Sequence, residues 1–506
     1  MSSTTRAAPP STSSAPKEPE RRRCWECLRR RLVCDAVRPV CNKCRVSGIV
    51  CPGYDDKKPL TWLTPGKVTC RTRRKVRAPA DEDQKKGVTT NGKERTRRAI
   101  PRNKDVMQGA ECVFHSELRT DVCDIYEAVQ YYNAVFYPHT SSGHASNQNV
   151  FIDQIPLKVV KFLPTAMAHN LVAIVFQHRM SVTTQWKIDC PSAKHAEARL
   201  HHHRGLAIRA LNEDIANEKT QCSDVVLTGT ILLLQSEIQS CLSPNWRQHV
   251  SGLLAMFTYR GGVTGWFKEA PYLRGMLLSF LITAVTANTT SPPANQITLC
   301  SHEELKQLTA DLYPLGLHPS IPCPLSLWME IIKINHLREE MAKGFIDRDV
   351  ARALAADILR RIEAFDPEAD ARFYELEEHN DMILPMFQSA LAVFCISSLQ
   401  AVGALPNTHR LAVLRTVHSG RLFALLTEAG SNDIVKKSII WPLVVAGVEA
   451  GSRVDQRQLV ERLIKEQSRD AGTPLSLHTL SVLRRFWDGE ITDWDTCFDR
   501  PYALIS

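Results

Sequence analysis

The 506-residue sequence predicts a mainly α-helical protein in three parts: a small cysteine-rich knob, a basic linker and a large all-helical domain. Three observations predict it. Six of the 16 cysteines fall between Cys24 and Cys51. Residues 54–117 are polar and basic, and Pro59, Pro65, Gly66, Pro79, Gly87, Gly92 and Pro101 break them up. From about residue 118 apolar residues recur with a 3.6-residue period, and alternating runs that would mark strands are scarce.

Residues 1–20 form a tail of Ser, Thr, Pro and Ala whose composition predicts disorder. It has no apolar core segment and one arginine among its first 16 residues, so it reads as neither a signal peptide nor a mitochondrial presequence. The knob spans 21–53, the linker 54–117 and the helical domain 118–506. Charge divides the same way. Residues 1–110 carry 27 Lys/Arg against 11 Asp/Glu, a balance of +16, and the remainder carries −7. A basic head on a mildly acidic body points to a polyanionic partner for the head alone.

In the knob the cysteines are Cys24, Cys27, Cys34, Cys41, Cys44 and Cys51, in the pattern C-x2-C-x6-C-x6-C-x2-C-x6-C. Without a secretory leader they read as reduced metal ligands, not disulfides. Two separate tetrahedral zinc sites would need eight ligands, but six suffice if two sulfurs bridge both ions. The halves are alike, so the bridging pair is the first cysteine of each, Cys24 and Cys41. One zinc then takes Cys24, Cys27, Cys34 and Cys41, and the other Cys24, Cys41, Cys44 and Cys51. Two zinc ions with six thiolates sum to −2, which leaves the head strongly basic.

The stretch Cys24-Trp-Glu-Cys27-Leu-Arg-Arg-Arg-Leu-Val-Cys34-Asp35, through Arg38-Pro39 to Cys51, resembles the fungal Zn(2)-C6 binuclear cluster of DNA-binding transcription regulators. Pro39 matches the loop proline between the halves. The resemblance implies that the first short helix enters the major groove and that Arg30 and Arg31 read a CGG-like triplet. An arginine fork matches the O6 and N7 acceptors of guanine. Arg29, Lys43 and Arg45 are then phosphate contacts, which position without specifying. Leu28 and Val33 stand where the family usually has basic residues, which shifts weight to Arg21, Arg22, Arg23 and the linker.

The linker offers no heptad, so dimerisation is expected only through the helical domain. Arg71, Arg73, Arg74, Lys75 and Arg77 form a dense basic run read as a nuclear-import signal, and Lys93, Arg95, Arg97 and Arg98 form a second run.

In the helical domain Ser223-Asp224 reads as a cap before a buried helix from Val225 to Ile238. A helix from Val250 to Tyr259 stops at Gly261-Gly262. Leu354, Ile358, Ile362 and Phe365 form one stripe, and Leu459, Val460, Leu463 and Ile464 another. Ile383–Leu399 holds Pro385, Gln388 and three serines and reads as a buried helix, not a membrane span. Trp441-Pro442 is expected to kink an apolar helix. His195, His201, His202 and His203 lie in a polar stretch, where exposed or capping roles are expected. Asp493 and Asp495 read as a surface turn. The ten cysteines outside the knob form no CxxC pair and read mostly as small core residues.

The helical domain resembles the fungal-specific transcription factor domain of the second type. The landmarks are Tyr131-Tyr132-Asn133, His203-Arg204-Gly205, Trp246-Arg247-Gln-His249, Arg260-Gly261-Gly262, Trp441-Pro442-Leu443 and Glu449-Ala450. The opening Cys-Trp-Glu-Cys with Lys57-Lys58-Pro59-Leu60-Thr61-Trp62 looks closest to regulators of the acriflavine-sensitivity type.

No GxSxG, HExxH, Walker or dinucleotide fingerprint occurs, so no enzyme is expected. The expected function is a nuclear, sequence-specific regulator of RNA polymerase II transcription. It would bind double-stranded DNA and the transcription machinery and control a drug-resistance or secondary-metabolite gene set. The alternative is a zinc-stapled interaction scaffold that never touches DNA.

Overall fold

Cys24 and Cys41 each open a five-residue helix, α1 (Trp25–Arg29) and α2 (Asn42–Val46). Each cysteine sits in extended backbone, and its sulfur accepts the N–H three residues on at 3.4 Å. Each helix is followed by a left-handed residue, Arg31 (φ 56°) and Gly48 (φ 63°). The next N–H then bonds back, Leu32 to the Cys27 carbonyl at 2.9 Å and Ile49 to that of Cys44 at 3.0 Å. The halves therefore repeat residue for residue at an offset of 17. Helices this short do not hold alone. Nor does apolar burial hold these, because Leu28, Leu32, Val33, Val37, Val40, Val46 and Ile49 are all exposed. The interior of the knob consists of Cys24, Cys27, Cys41 and Cys44, with Cys34, Cys51 and Tyr54 against them.

The computed structural model describes residues 23–49, 51–52, 54, 120–138, 154–184, 191–241, 246–315, 322–367, 379–433, 435–437, 439–489 and 493–504. They fall into two units, one within residues 1–98 and one within 99–506. Among the described residues there are helices and no strand, as the sequence predicts. The tail expected at 1–20 and the linker with Arg71, Arg73, Arg74, Lys75 and Arg77 lie outside the described residues.

The second unit begins at α3 (Asp121–Tyr131), capped by Thr120. Helix α3 packs on α4 (Thr165–Thr184) and α4 on α5 (Pro191–Ala216) around Ala128, Val172, Phe176 and Leu200. There follow α6 (Asp224–Ser240), α7 (Trp246–Tyr259), α8 (Gly262–Glu269), α9 (Arg274–Thr290) and α10 (His302–Leu312). Next are α11 (Leu325–Lys343), α12 (Arg348–Glu363), α13 (Asn380–Ala401) and α14 (His409–Ala429). The last are α15 (Ile440–Glu449), α16 (Val454–Ala471), α17 (Leu475–Trp487) and the short α18 (Trp494–Cys497). Helix α13 is the axis, and α11, α12, α14, α15 and α18 pack around it. It is long and apolar enough to cross a membrane, yet 94% of that apolar window is buried inside the protein.

Ser223 caps α6, and α7 ends before Gly261 (φ 82°) and Gly262 (φ 88°), both in the region that favours glycine. Val460, Leu463 and Ile464 are buried on α16. Several expectations need correction. Leu354 is exposed, and Ala351, Ala355, Ile358, Leu359 and Ile362 form the inner face of α12. Pro442 does not kink a helix. It stands in the first turn of α15, where its missing N–H has no intrahelical partner to lose. Of the seven described cysteines outside the knob, Cys323, Cys395 and Cys497 are buried, Cys222, Cys241 and Cys300 half-buried, and Cys123 exposed.

Asp495 is no surface turn. It pairs with the fully buried Arg338 of α11, whose guanidinium also donates to the carbonyls of Asn288 (2.9 Å), Thr289 (3.4 Å) and Ser291 (3.1 Å). Arg338 thus satisfies the open carbonyl end of α9. Four of the sequence landmarks supply ion-pair joints, through Arg204, His249, Arg260 and Glu449. Arg204 and His249 meet on buried Glu237 at 2.5 and 3.0 Å. Arg260 binds Asp224, and Arg415 binds Glu449.

Candidate metal centre and nucleic-acid interface

The sulfurs of Cys24, Cys27, Cys34 and Cys41 all lie within 4.8 Å of one another, and so do those of Cys24, Cys41, Cys44 and Cys51. The two sets share Cys24 and Cys41. Tetrahedral zinc with bonds of about 2.3 Å requires sulfurs about 3.8 Å apart. The measured separations are 3.7 Å for Cys24–Cys41, 3.8 Å for Cys24–Cys44 and 3.7 Å for Cys27–Cys41. The residues present therefore fit two zinc ions. Spacing puts them there. Each CxxC pair spans the first turn of a helix, and six further residues bring the third cysteine of each half back to the same centre.

The electrostatics fit as well. Burial pushes the Cys24, Cys27 and Cys44 thiols up, Cys27 to about 12. For Cys34 burial is outweighed by N–H donors from Cys24 and Ala36, and its thiol drops to about 7. Buried thiols that resist ionisation become thiolates when a divalent cation compensates the charge.

Arg29, Arg30, Arg31, Lys43 and Arg45 are all exposed on this frame. Arg30 is the C-cap of α1, and Arg31 follows it. Arg31 holds the left-handed position that Gly48 holds in the second half. A side chain there costs about 1–2 kcal/mol relative to ordinary backbone. Arg29 is engaged with Glu26 through two contacts of 2.9 and 2.6 Å. Arg45 donates to Asn42 Oδ1 at 2.5 Å. Asp35 accepts the N–H of Asn42 through both oxygens, at 3.2 and 3.0 Å, and so fixes the start of α2.

The histidine run is different from the expectation. His195, His201 and His202 are exposed, but His203 is fully buried. Its Nε2 lies 2.9 Å from Asp124 and its Nδ1 2.8 Å from His169 Nδ1. Asp121, Asp124 and His203 approach each other closely enough to hold a cation, but Arg199 reaches both aspartates and already supplies the positive charge. The group is a buried polar joint between α3, α4 and α5. Its signal was in the sequence: Ala196, Leu200, His203, Ala207 and Leu211 lie on one helical stripe. Tyr54, three residues past the last cysteine, was not singled out and packs directly on the cysteine core.

Comparison with known proteins gives two family matches. Residues 22–61 match the fungal Zn(2)-Cys(6) binuclear cluster domain, and residues 127–503 match the fungal specific transcription factor domain. The phomenoic acid biosynthesis cluster-specific transcriptional regulator of Leptosphaeria maculans is 30% identical over 495 residues, covering 96% of this chain and 89% of that protein. No solved structure matches.

Proposed function

Because this chain belongs to the fungal specific transcription factor family, with a Zn(2)-Cys(6) cluster at its head, it is a zinc-dependent DNA-binding transcription regulator and no enzyme, and we propose the following reading of how it works. Cys24, Cys27, Cys34 and Cys41 hold one zinc ion, and Cys24, Cys41, Cys44 and Cys51 hold the other. Arg30 and Arg31 enter the major groove and read a CGG-like triplet, while Arg29, Lys43 and Arg45 clamp phosphates. The protein acts in the nucleus on RNA polymerase II genes, carried there by the run from Arg71 to Arg77. It dimerises, if at all, through the helical domain. The relative's role in a biosynthetic gene cluster favours a secondary-metabolite gene set as its target.

The observation that carries this reading is the pair of four-sulfur sets sharing Cys24 and Cys41. Arg31 adds support. The second half uses glycine at the equivalent left-handed position, so an arginine kept there against backbone strain points to a use for its side chain. The experiment is selection of bound duplexes from a random pool by the zinc-loaded full chain. A CGG-containing consensus is expected from the native chain. Arg30→Ala with Arg31→Ala is expected to lose it at about 1–3 kcal/mol per base while keeping both zinc ions. Retention of the same consensus by the double variant would contradict the reading. Equal binding to scrambled duplex by both chains would favour the scaffold alternative.

A further inference from the structure

We infer that Tyr54 is a positioning residue of the metal centre, whose phenol closes the side of the cluster on which Cys34 lies. The inference rests on the ligand sets proposed above. Cys24, Cys27, Cys41 and Cys44 are buried, whereas Cys34 and Cys51 are only half-buried. Cys34 belongs to one four-sulfur set alone. Its sulfur lies 3.5 Å from the N–H nitrogen of Cys24 and 3.9 Å from the Tyr54 phenolic oxygen. The same phenol donates to the Val37 carbonyl at 2.7 Å, and the Arg38 guanidinium lies over the Tyr54 ring, 5.3 Å from its centre.

One side chain, attached just beyond the last cysteine, thus grips the loop between the two halves at Cys34, Val37 and Arg38. The internal repeat shows that this is no shared feature of both halves. Seventeen residues before Tyr54 stands Val37, which has no hydroxyl to offer and instead lends Tyr54 its carbonyl. The phenol has one proton and two acceptors within reach, the Val37 oxygen and the Cys34 sulfur. A ligating thiolate at Cys34 draws on that proton, and the ring screens the sulfur from water. Partners of metal ligands act in this way, orienting the ligand and holding its charge, and their loss weakens metal binding about 10–100-fold.

The test uses the full chain with cadmium in place of zinc, so that NMR gives one resonance for each bound ion. Tyr54→Phe keeps the ring and removes the proton. It is expected to shift the resonance of the ion held by Cys34 and leave the other in place. In the zinc form, loss of one of the two ions to a chelating dye is expected to quicken about tenfold. Tyr54→Leu, which also removes the ring, is expected to affect the same ion more strongly. Unmoved resonances and unchanged release in both variants would overturn the inference, and so would equal shifts of both resonances, which mark a general packing role. A native chain giving a single cadmium resonance would instead overturn the ligand sets beneath it.

Discussion

In the helical domain the largest fully buried side chains include Trp266, Trp328, Trp494, Phe257, Phe280, Phe387 and Phe394. Among the described residues of the knob the fully buried side chains are four cysteines, while Val33 and Val46 stand 76% and 87% exposed. The domain holds its helices by removing apolar area from water, at about 25 cal/mol per Å². The knob has two five-residue helices and almost no such area, so its fold and its metal affinity are one free energy. One chain thus carries two modes of stabilisation: the knob answers to chelators and thiol chemistry, and the domain to whatever opens its apolar core or titrates the carboxylates of its ion pairs, such as Asp224 and Glu237.

Chelation separates the two parts most widely. Stripping zinc is expected to unfold the knob and abolish duplex binding, since metal affinity in small thiolate domains runs to about 10–16 kcal/mol. The circular dichroism of the helical domain is expected to persist. Acid acts in the same direction, because protons compete for thiols that burial already pushes up, Cys27 to about 12, so zinc retention rises with pH. Loss of most helical signal on chelation would show that the two parts are not independent.

The converse lesion is Arg338→Met. It strands Asp495 and three carbonyls at the end of α9, and it is expected to destabilise the helical domain by roughly 3–5 kcal/mol in a urea melt. Zinc content and triplet preference are expected to stay as in the native chain. A change in either would tie the domain core to the knob.

A finer difference lies within the knob itself, between its two halves. Arg31→Gly copies the second half into the first and relieves about 1 kcal/mol of backbone strain, less the entropy a glycine adds to the unfolded chain. Zinc is expected to be held at least as well, and discrimination at one base pair of the triplet to be lost in competition binding. A variant that loses zinc and keeps discrimination would reverse the roles assigned to Arg31.

How much of this was legible differs between the two parts. Ligand chemistry fixes both residue type and spacing, so the six cysteines announce the knob. Gly48 marks its left-handed position openly, but Arg31 does not, because no residue type declares a strain tolerated for function. In the helical domain the 3.6-residue period places α12 and α16, while the Ser223 cap places α6, the Gly261-Gly262 stop α7 and a long apolar run α13. Arg338 is invisible to polarity arguments, and His203 shows only through the helical stripe it shares with Ala196, Leu200, Ala207 and Leu211. Each lies buried because a partner distant in sequence, the end of α9 for one and Asp124 for the other, satisfies it. Tyr54 lies one residue past the expected edge of the knob, where composition already reads as linker, and only its contact with Cys34 and Val37 shows what it touches.

In the proposed ligand sets six cysteines share two zinc ions through Cys24 and Cys41. Native mass spectrometry of the reduced full chain tests it most directly, with Cys24→Ser and Cys34→Ser beside it. Two zinc ions are expected on the native chain, with loss of both on replacing the bridging Cys24 and a weakened hold on one when Cys34 is replaced. A native chain carrying one ion, or a Cys24→Ser chain still carrying two, would contradict it.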